Sequence, residues 1–495
     1  MKPLPVRTLL AGSLAAFLAL AGSTSVAFAV PAAGDQCYAC HAESETPQAL
    51  KYKQDVHYLG GVGCADCHGG DPTADDQDAA MNLAKGFRAK FKKSEIPALC
   101  GRCHGAKDDP FQKKFHLSNV ADSLSAGVHG EALRANENGP QCVSCHGIHD
   151  ITKVADSRSP VHPTQVAKTC ASCHSNALYM RQFNPSLPVD QHEKYLTSEH
   201  GKRNAAGDPK PATCVSCHSN HMVLKAKDPR SPVYATRIPG TCGKCHSDAK
   251  YMAQYKIPTD QLSQYKSSQH GIALLEKSDL NAPACNSCHG NHGAAPPGAA
   301  SVVAVCGNCH QANMELYEQS AHKPVFEQKN LSGCVVCHGN HLIKAATDEL
   351  VALAPPSPCA QCHTQDGSDK SAPVILHMRA LLDSLQEGQK EALARLDRAE
   401  QLGMDVADTK YELKDANQAL VLSRVAIHSF KLTELADVAR PGIAILTAAK
   451  KSGDEAVHEF YFRRQGLAVS TLIVTLLVVL LYLKVRQIER EAKKK

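Results

Sequence analysis

CVSCHGIH, residues Cys142 to His149, places two cysteines two residues apart, a histidine directly behind them and a second histidine three residues further on. So tight a pair of thiols suits a metal, a redox disulfide or a covalently attached porphyrin. The choice turns on how often the pattern recurs. The chain has 22 cysteines in 495 residues, and every one falls in a C-x-x-C-H pentapeptide. In order these are Cys37, Cys40 and His41; Cys64, Cys67 and His68; Cys100, Cys103 and His104; Cys142, Cys145 and His146; Cys170, Cys173 and His174; Cys214, Cys217 and His218; Cys242, Cys245 and His246; Cys285, Cys288 and His289; Cys306, Cys309 and His310; Cys334, Cys337 and His338; and Cys359, Cys362 and His363.

A thioredoxin-like site uses one C-x-x-C, and a structural zinc site gathers its ligands in fours. Neither accounts for an odd number of motifs that always carry the trailing histidine. Haem attachment accounts for all of it: two thiols add to the two vinyl groups of one porphyrin, and the adjacent histidine reaches the iron as proximal ligand. Eleven covalently bound haem c groups are therefore expected.

The two chain ends read as membrane signals. Lys2 and Arg7, the run LLAGSLAAFLALAG and the small-residue site Ala27-Phe28-Ala29 make residues 1–29 a secretory signal peptide, with an uncleaved anchor helix as the alternative. Export fits the thiol count, because free cysteines in such number scramble outside the cytoplasm unless haem attachment consumes them. Residues 466–483, GLAVSTLIVTLLVVLLYL, are uncharged and long enough to span a bilayer, and a basic tail, 484–495, follows. The alternative there is a buried core helix. The expected topology is a single-pass protein of the cytoplasmic membrane with its haems on the periplasmic side.

From Cys37 to His363 there are about 30 residues per haem, no Trp and few Phe, too little for an ordinary side-chain core, so the porphyrins themselves are expected to form it. The expected fold is mainly α with extensive coil. A haem-cored repeat array, residues 30–370, is followed by a helical hairpin or stalk, 371–465, the transmembrane helix and the tail. The formal charge of +5 is offset by up to about twenty propionate charges, and nothing points to nucleic acid.

Repeats decide which other histidines matter. YMRQFNPSLPVDQHEKYLTSEHG from Tyr179 aligns with YMAQYKIPTDQLSQYKSSQHG from Tyr251, and DSRSPVHPTQVAKTCASCH from Asp156 with DPRSPVYATRIPGTCGKCH from Asp228. The unit is a histidine, usually followed by glycine, then CxxCHxxH, then a plain CxxCH. Units begin at His129, His200, His270 and His322, with a degenerate copy at His57. Of the fifteen histidines outside the pentapeptides, His162 faces Tyr234 in the next copy and His192 faces Leu262, so the unit requires neither. His428 lies in a later helical region and His458 beside the membrane, which argues against both. Eleven remain as distal ligands: His57, His116, His129, His149, His200, His221, His270, His292, His322, His341 and His377. Eleven haems and eleven candidates imply bis-histidine coordination. A chain already bound on one porphyrin face does not readily wrap to the other, so His149, His221, His292 and His341 are expected to ligate neighbouring haems. The methionines are read as packing residues.

These H-G … CxxCHGxH units resemble the multihaem c-type cytochromes of anaerobically respiring bacteria, over roughly residues 35–377. The resemblance implies a low-potential electron conduit serving redox partner proteins: a quinol-oxidising membrane complex on one side, soluble or outer-membrane cytochromes on the other. Likeness to membrane-anchored quinol dehydrogenases is looser, because their anchor is commonly N-terminal.

Beyond Pro373, apolar residues recur at helical spacing. One helix is broken by Gly403, a second ends before Pro441 and a third leads towards the membrane. They resemble the helices through which some multihaem nitrite reductases dimerise, and read equally as a stalk. Two function classes follow, an electron carrier with every iron six-coordinate and an oxidoreductase acting on nitrite, hydroxylamine or a sulfur oxyanion at one open iron. The second rests on one irregularity: CADCHGGD puts Asp71 where other units have a histidine, which would leave the haem of Cys64 and Cys67, or a neighbour, five-coordinate unless His116 reaches it. The acidic loop 71–78 reads as solvated.

Overall fold

The structure, a computed structural model, describes residues 34–105, 119–298, 301–366 and 368–493. The signal-peptide segment, His116 and the last two lysines lie outside them. The described residues form helices joined by turns and coil, with no strand among them. They divide into two compact units, one of residues up to 192 with 203–225, the other of 193–202 with 226–495.

In the first unit the haem motifs take two helical forms. Plain CxxCH motifs close helices of nine residues, Ile96–His104 and Val166–His174. Motifs of the CxxCHxxH type make one short turn, as in Cys142–His146 and Cys214–His218, entered from an extended residue. The residue behind the proximal histidine then takes a positive φ, 81° at Gly147, which turns the chain sharply off the helix axis. Glycine suits that conformation. The copy at Cys214 has Ser219 instead, at φ 68° and ψ 172°.

The second unit repeats both forms, in Ile238–His246 and Cys285–His289, and then adds a three-helix bundle. Its first helix, Ala372–Gln401, buries Met378, Leu382, Leu385, Ala392, Leu396 and Ala399, at spacings of three, four and seven. Its partners are Ala407–Ala426 and Leu432–Ala492. Small residues let the axes close up: a Cβ on Gly442 would stand 2.6 Å from that of Ala419. This bundle holds the main side-chain core; buried residues elsewhere are scattered and mostly small. That contrast is what porphyrin-cored packing requires of the array.

The bundle departs from the sequence reading in two places. The second helix stops at Ala426, where Phe430 adopts a left-handed φ of 55°, and the third runs through Pro441 instead of starting after it. Proline in a helix interior costs about 3 kcal/mol, and the burial of Leu435, Ala439, Gly442 and Leu446 on the same face outweighs it. The bundle is tied to the array by Asp348, nearly buried, whose carboxylate accepts two hydrogen bonds from the Arg424 guanidinium at 2.9 and 2.8 Å. The third helix continues unbroken through residues 466–483, whose large apolar side chains are all exposed. It is long and apolar enough to cross a membrane.

Candidate haem centres

In nine of the motifs the proximal histidine faces a second imidazole across an open space. Nine such pairs are described, with ring centroids 6.0–6.2 Å apart: His57 with His104, His68 with His149, His129 with His174, His146 with His221, His200 with His246, His270 with His310, His289 with His341, His322 with His363, and His338 with His428. A histidine nitrogen binds a metal at about 2 Å and lies about 1.1 Å from its ring centre, so two imidazoles across one iron place their centroids about 6.2 Å apart. The rings stand too far apart for contact and at the right distance for one iron between them. The residues present therefore fit haem c.

The pairs obey a register rule when motifs are numbered one to eleven along the chain. Even motifs two, four, eight and ten face a histidine from downstream. For the first three it is the trailing histidine of the motif two further on: His149 of motif four serves His68, His221 of motif six serves His146, and His341 of motif ten serves His289. Odd motifs three, five, seven, nine and eleven face the histidine that opens a repeat 40 to 47 residues upstream. The positive-φ turn behind the proximal histidine sends each trailing imidazole away from its own helix. In four of the five copies one backbone bond clasps the loops of the two outer histidines: Val56 N–H donates to Ile151 O, Val128 to Val223, Glu199 to Ala294 and Gln269 to Ile343, at 2.8 to 3.3 Å.

The ring planes separate the same two classes. Downstream ligands lie nearly parallel to their partners, at 12° to 23°. Upstream ligands are crossed by 34° to 88°.

Two sequence expectations change. His377 sits exposed on the first bundle helix and is not among the pairs; His428, set aside for its place in the helical region, stands opposite His338. It comes from the short turn joining the second and third bundle helices, where its Nδ1 faces Val425 O at 2.9 Å. Phe430 from the same turn lies 3.9 Å from the His322 ring. The signal for His428 was present in the register: motif ten has no motif twelve to serve it, so its ligand has to come from beyond the array.

The second change concerns Asp71. Under the register rule a trailing histidine serves the motif two places earlier, and motif two has no such predecessor. Asp71 instead pairs with Lys85 at 2.6 Å and holds Thr73, while His68 faces His149. His116 lies outside the described residues. His41, His218 and His292 enter the account through sequence register alone.

Burial makes many of the facing imidazoles poor bases. It pushes His129 down to about 4 and lowers His104, His146, His149, His174, His200, His221, His246, His270, His322, His338, His341 and His428. Neutral imidazole is the ligand form that a metal needs.

Within each unit, several consecutive motifs are neighbours in space. The first cysteines of motifs three and four, five and six, seven and eight, and nine and ten meet thiol to thiol: Cys100 with Cys142, Cys170 with Cys214, Cys242 with Cys285, Cys306 with Cys334. Helix packing joins motifs one to two and ten to eleven, and Arg102 links motif three to two by donating to Asp66 O at 2.8 Å.

A helical chain whose cysteine–histidine motifs meet second imidazoles at iron-spanning distance has the design of a multihaem c-type cytochrome, and the comparisons with known proteins support that class. The family described as cytochrome c554 and c-prime matches residues 23–69. The C-type polyheme cytochrome OmcC of Geobacter sulfurreducens is 26% identical over 167 residues, 30% of this chain and 20% of that protein's length. No solved structure matches.

Proposed function

We propose that the chain is a membrane-anchored electron conduit in periplasmic anaerobic respiration, carrying eleven haem c groups, each iron held between two histidines. The observation that carries this reading is the set of nine imidazole pairs at iron-spanning distance. Bound there, haem c supplies one-electron exchange between ferric and ferrous iron. The cysteines of each motif would anchor a porphyrin through thioethers, the facing histidines would hold its iron, and the contacts between neighbouring motifs would keep haems close within each unit. The register rule leaves two irons without a second ligand: that of His338, which faces His428, and that of His41, for which His116 is proposed.

The third bundle helix supports the stalk reading. Thirty-four residues of helix separate Leu432 from Gly466, about 50 Å at 1.5 Å per residue. With residues 466–483 in the bilayer, His428 and the haems of motifs ten and eleven stand that far above it. Tunnelling falls steeply with distance, so the anchor favours electron delivery by a redox partner protein over direct quinol oxidation by this chain. The test is haem content per chain combined with stopped-flow mixing of the fully reduced protein with nitrite or hydroxylamine. Eleven haems and no reoxidation are expected; fast reoxidation would instead assign an open, catalytic iron.

A further inference from the structure

Bis-histidine haems of one protein differ in potential partly through what holds the far nitrogen of each imidazole, because a stronger acceptor makes the ligand more electron-rich and favours ferric iron. Most Nδ1 partners identified here are neutral carbonyls: Arg88 O for His68 at 2.7 Å, Val425 O for His428 at 2.9 Å and Ala295 O for His289 at 3.2 Å. Two ligands differ. Asp55 Oδ1 stands 2.9 Å from His57 Nδ1, and Asp369 Oδ2 stands 2.7 Å from His363 Nδ1.

Asp55 is 1% exposed. Its Oδ1 also accepts the His57 backbone N–H at 2.8 Å, and its Oδ2 accepts that of Ile151 at 2.7 Å, on the loop that carries His149. The other copies do without this carboxylate. Two residues before the distal histidine they carry Gly127, Ser198, Ser268 and Ser320. Ser198 and Ser268 accept only from the backbone N–H groups of Gly201 and Gly271, as ordinary helix caps. Capping therefore does not require a carboxylate at 55. Asp369 serves the last motif, where the opposite ligand, His322, has a buried Nδ1 with no partner among the described residues. Asp369 is therefore the one carboxylate on an imidazole Nδ1 at that centre among the described residues.

We infer that Asp55 and Asp369 are positioning residues that hold His57 and His363 as electron-rich ligands, making the haems of motifs three and eleven the low-potential sites of the protein. The inference rests on the bis-histidine reading. Failure of that reading would appear as high-spin iron in the parent protein, which is distinct from the outcome tested here.

The test is a spectroelectrochemical titration of the full-length, detergent-solubilised holoprotein, its Asp55→Asn variant and its Asp369→Asn variant. Haem content and low-spin spectra are recorded alongside. Each variant is expected to move one electron of the eleven-electron titration to higher potential, from the low-potential end of the curve, with haem content unchanged. Curves that superimpose on the parent, with low-spin haem retained, would overturn the inference. Should Asp55→Asn lose its low-spin haem, Asp55→Ser, which installs the side chain found in the other copies, decides in its place by the same criterion. Asp369, less buried than Asp55, tests the idea independently.

Discussion

His428 shows what a single residue contributes. It carries no motif and lies on a helical turn, yet its ring stands 6.1 Å from that of His338. His428→Ala is expected to convert one haem of eleven to the high-spin form, and His377→Ala none, as read in the visible spectrum of the oxidised protein. Ser219 offers a stability prediction. Its φ and ψ fall in a region that glycine alone adopts freely, at a cost of about 1–3 kcal/mol to other residues, and the equivalent positions are Gly69, Gly147, Gly290 and Gly339. Ser219→Gly should stabilise the holoprotein by about 1 kcal/mol, visible as a raised thermal midpoint at fixed scan rate; an unchanged midpoint would mean that the strain is relieved elsewhere. The cysteine–histidine motifs were legible in the sequence because their spacing is fixed. Distal histidines were legible as members of a repeat. Which motif each one faces was not, because the facing pairs skip a motif and only the three-dimensional path of the chain shows it.

At the scale of the element, the turn before each nine-residue motif helix of the middle copies is built on Asp-x-Arg. Arg158 grips Asp156 at 2.7 Å and Arg230 grips Asp228 at 2.8 Å, holding both carboxyls near 2, well below the ordinary carboxylate range. A folded-state value below the unfolded one gives stability that is present above about 4 and is lost as pH falls towards about 2. Asp156→Asn together with Asp228→Asn should therefore lower stability slightly at neutral pH, flatten the acid-unfolding profile in that window and converge with the parent as pH falls to about 2, as followed by circular dichroism. Both carboxylates are well solvated, so the effect should be small and weaken with salt. The helices past Pro373 were legible from their apolar spacing. Their junctions were not, because Pro441 is carried by packing that no local rule contains, and the break at Phe430 has no proline or glycine to mark it.

At the scale of the whole molecule, register and anchor together define the account. In the proposed arrangement a sequence unit offers one imidazole to a motif upstream and one to a motif downstream, and within the second unit the bundle offers His428 to motif ten. The stalk predicts that the detergent-solubilised protein alone is not reduced by a quinol analogue, while a small electron donor such as dithionite reduces it fully. Rapid reduction by the quinol alone would contradict the proposed distance between haems and membrane.

The central claim is that every iron lies between two imidazoles, in two alternating geometries. Low-temperature EPR of the fully oxidised protein tests it most directly. Near-parallel imidazole planes give a rhombic low-spin signal, and strongly crossed planes give one of larger anisotropy. The account predicts low-spin iron throughout, divided between those two signal types, and unchanged on adding cyanide or nitrite. A high-spin population, or a single low-spin class, would contradict it.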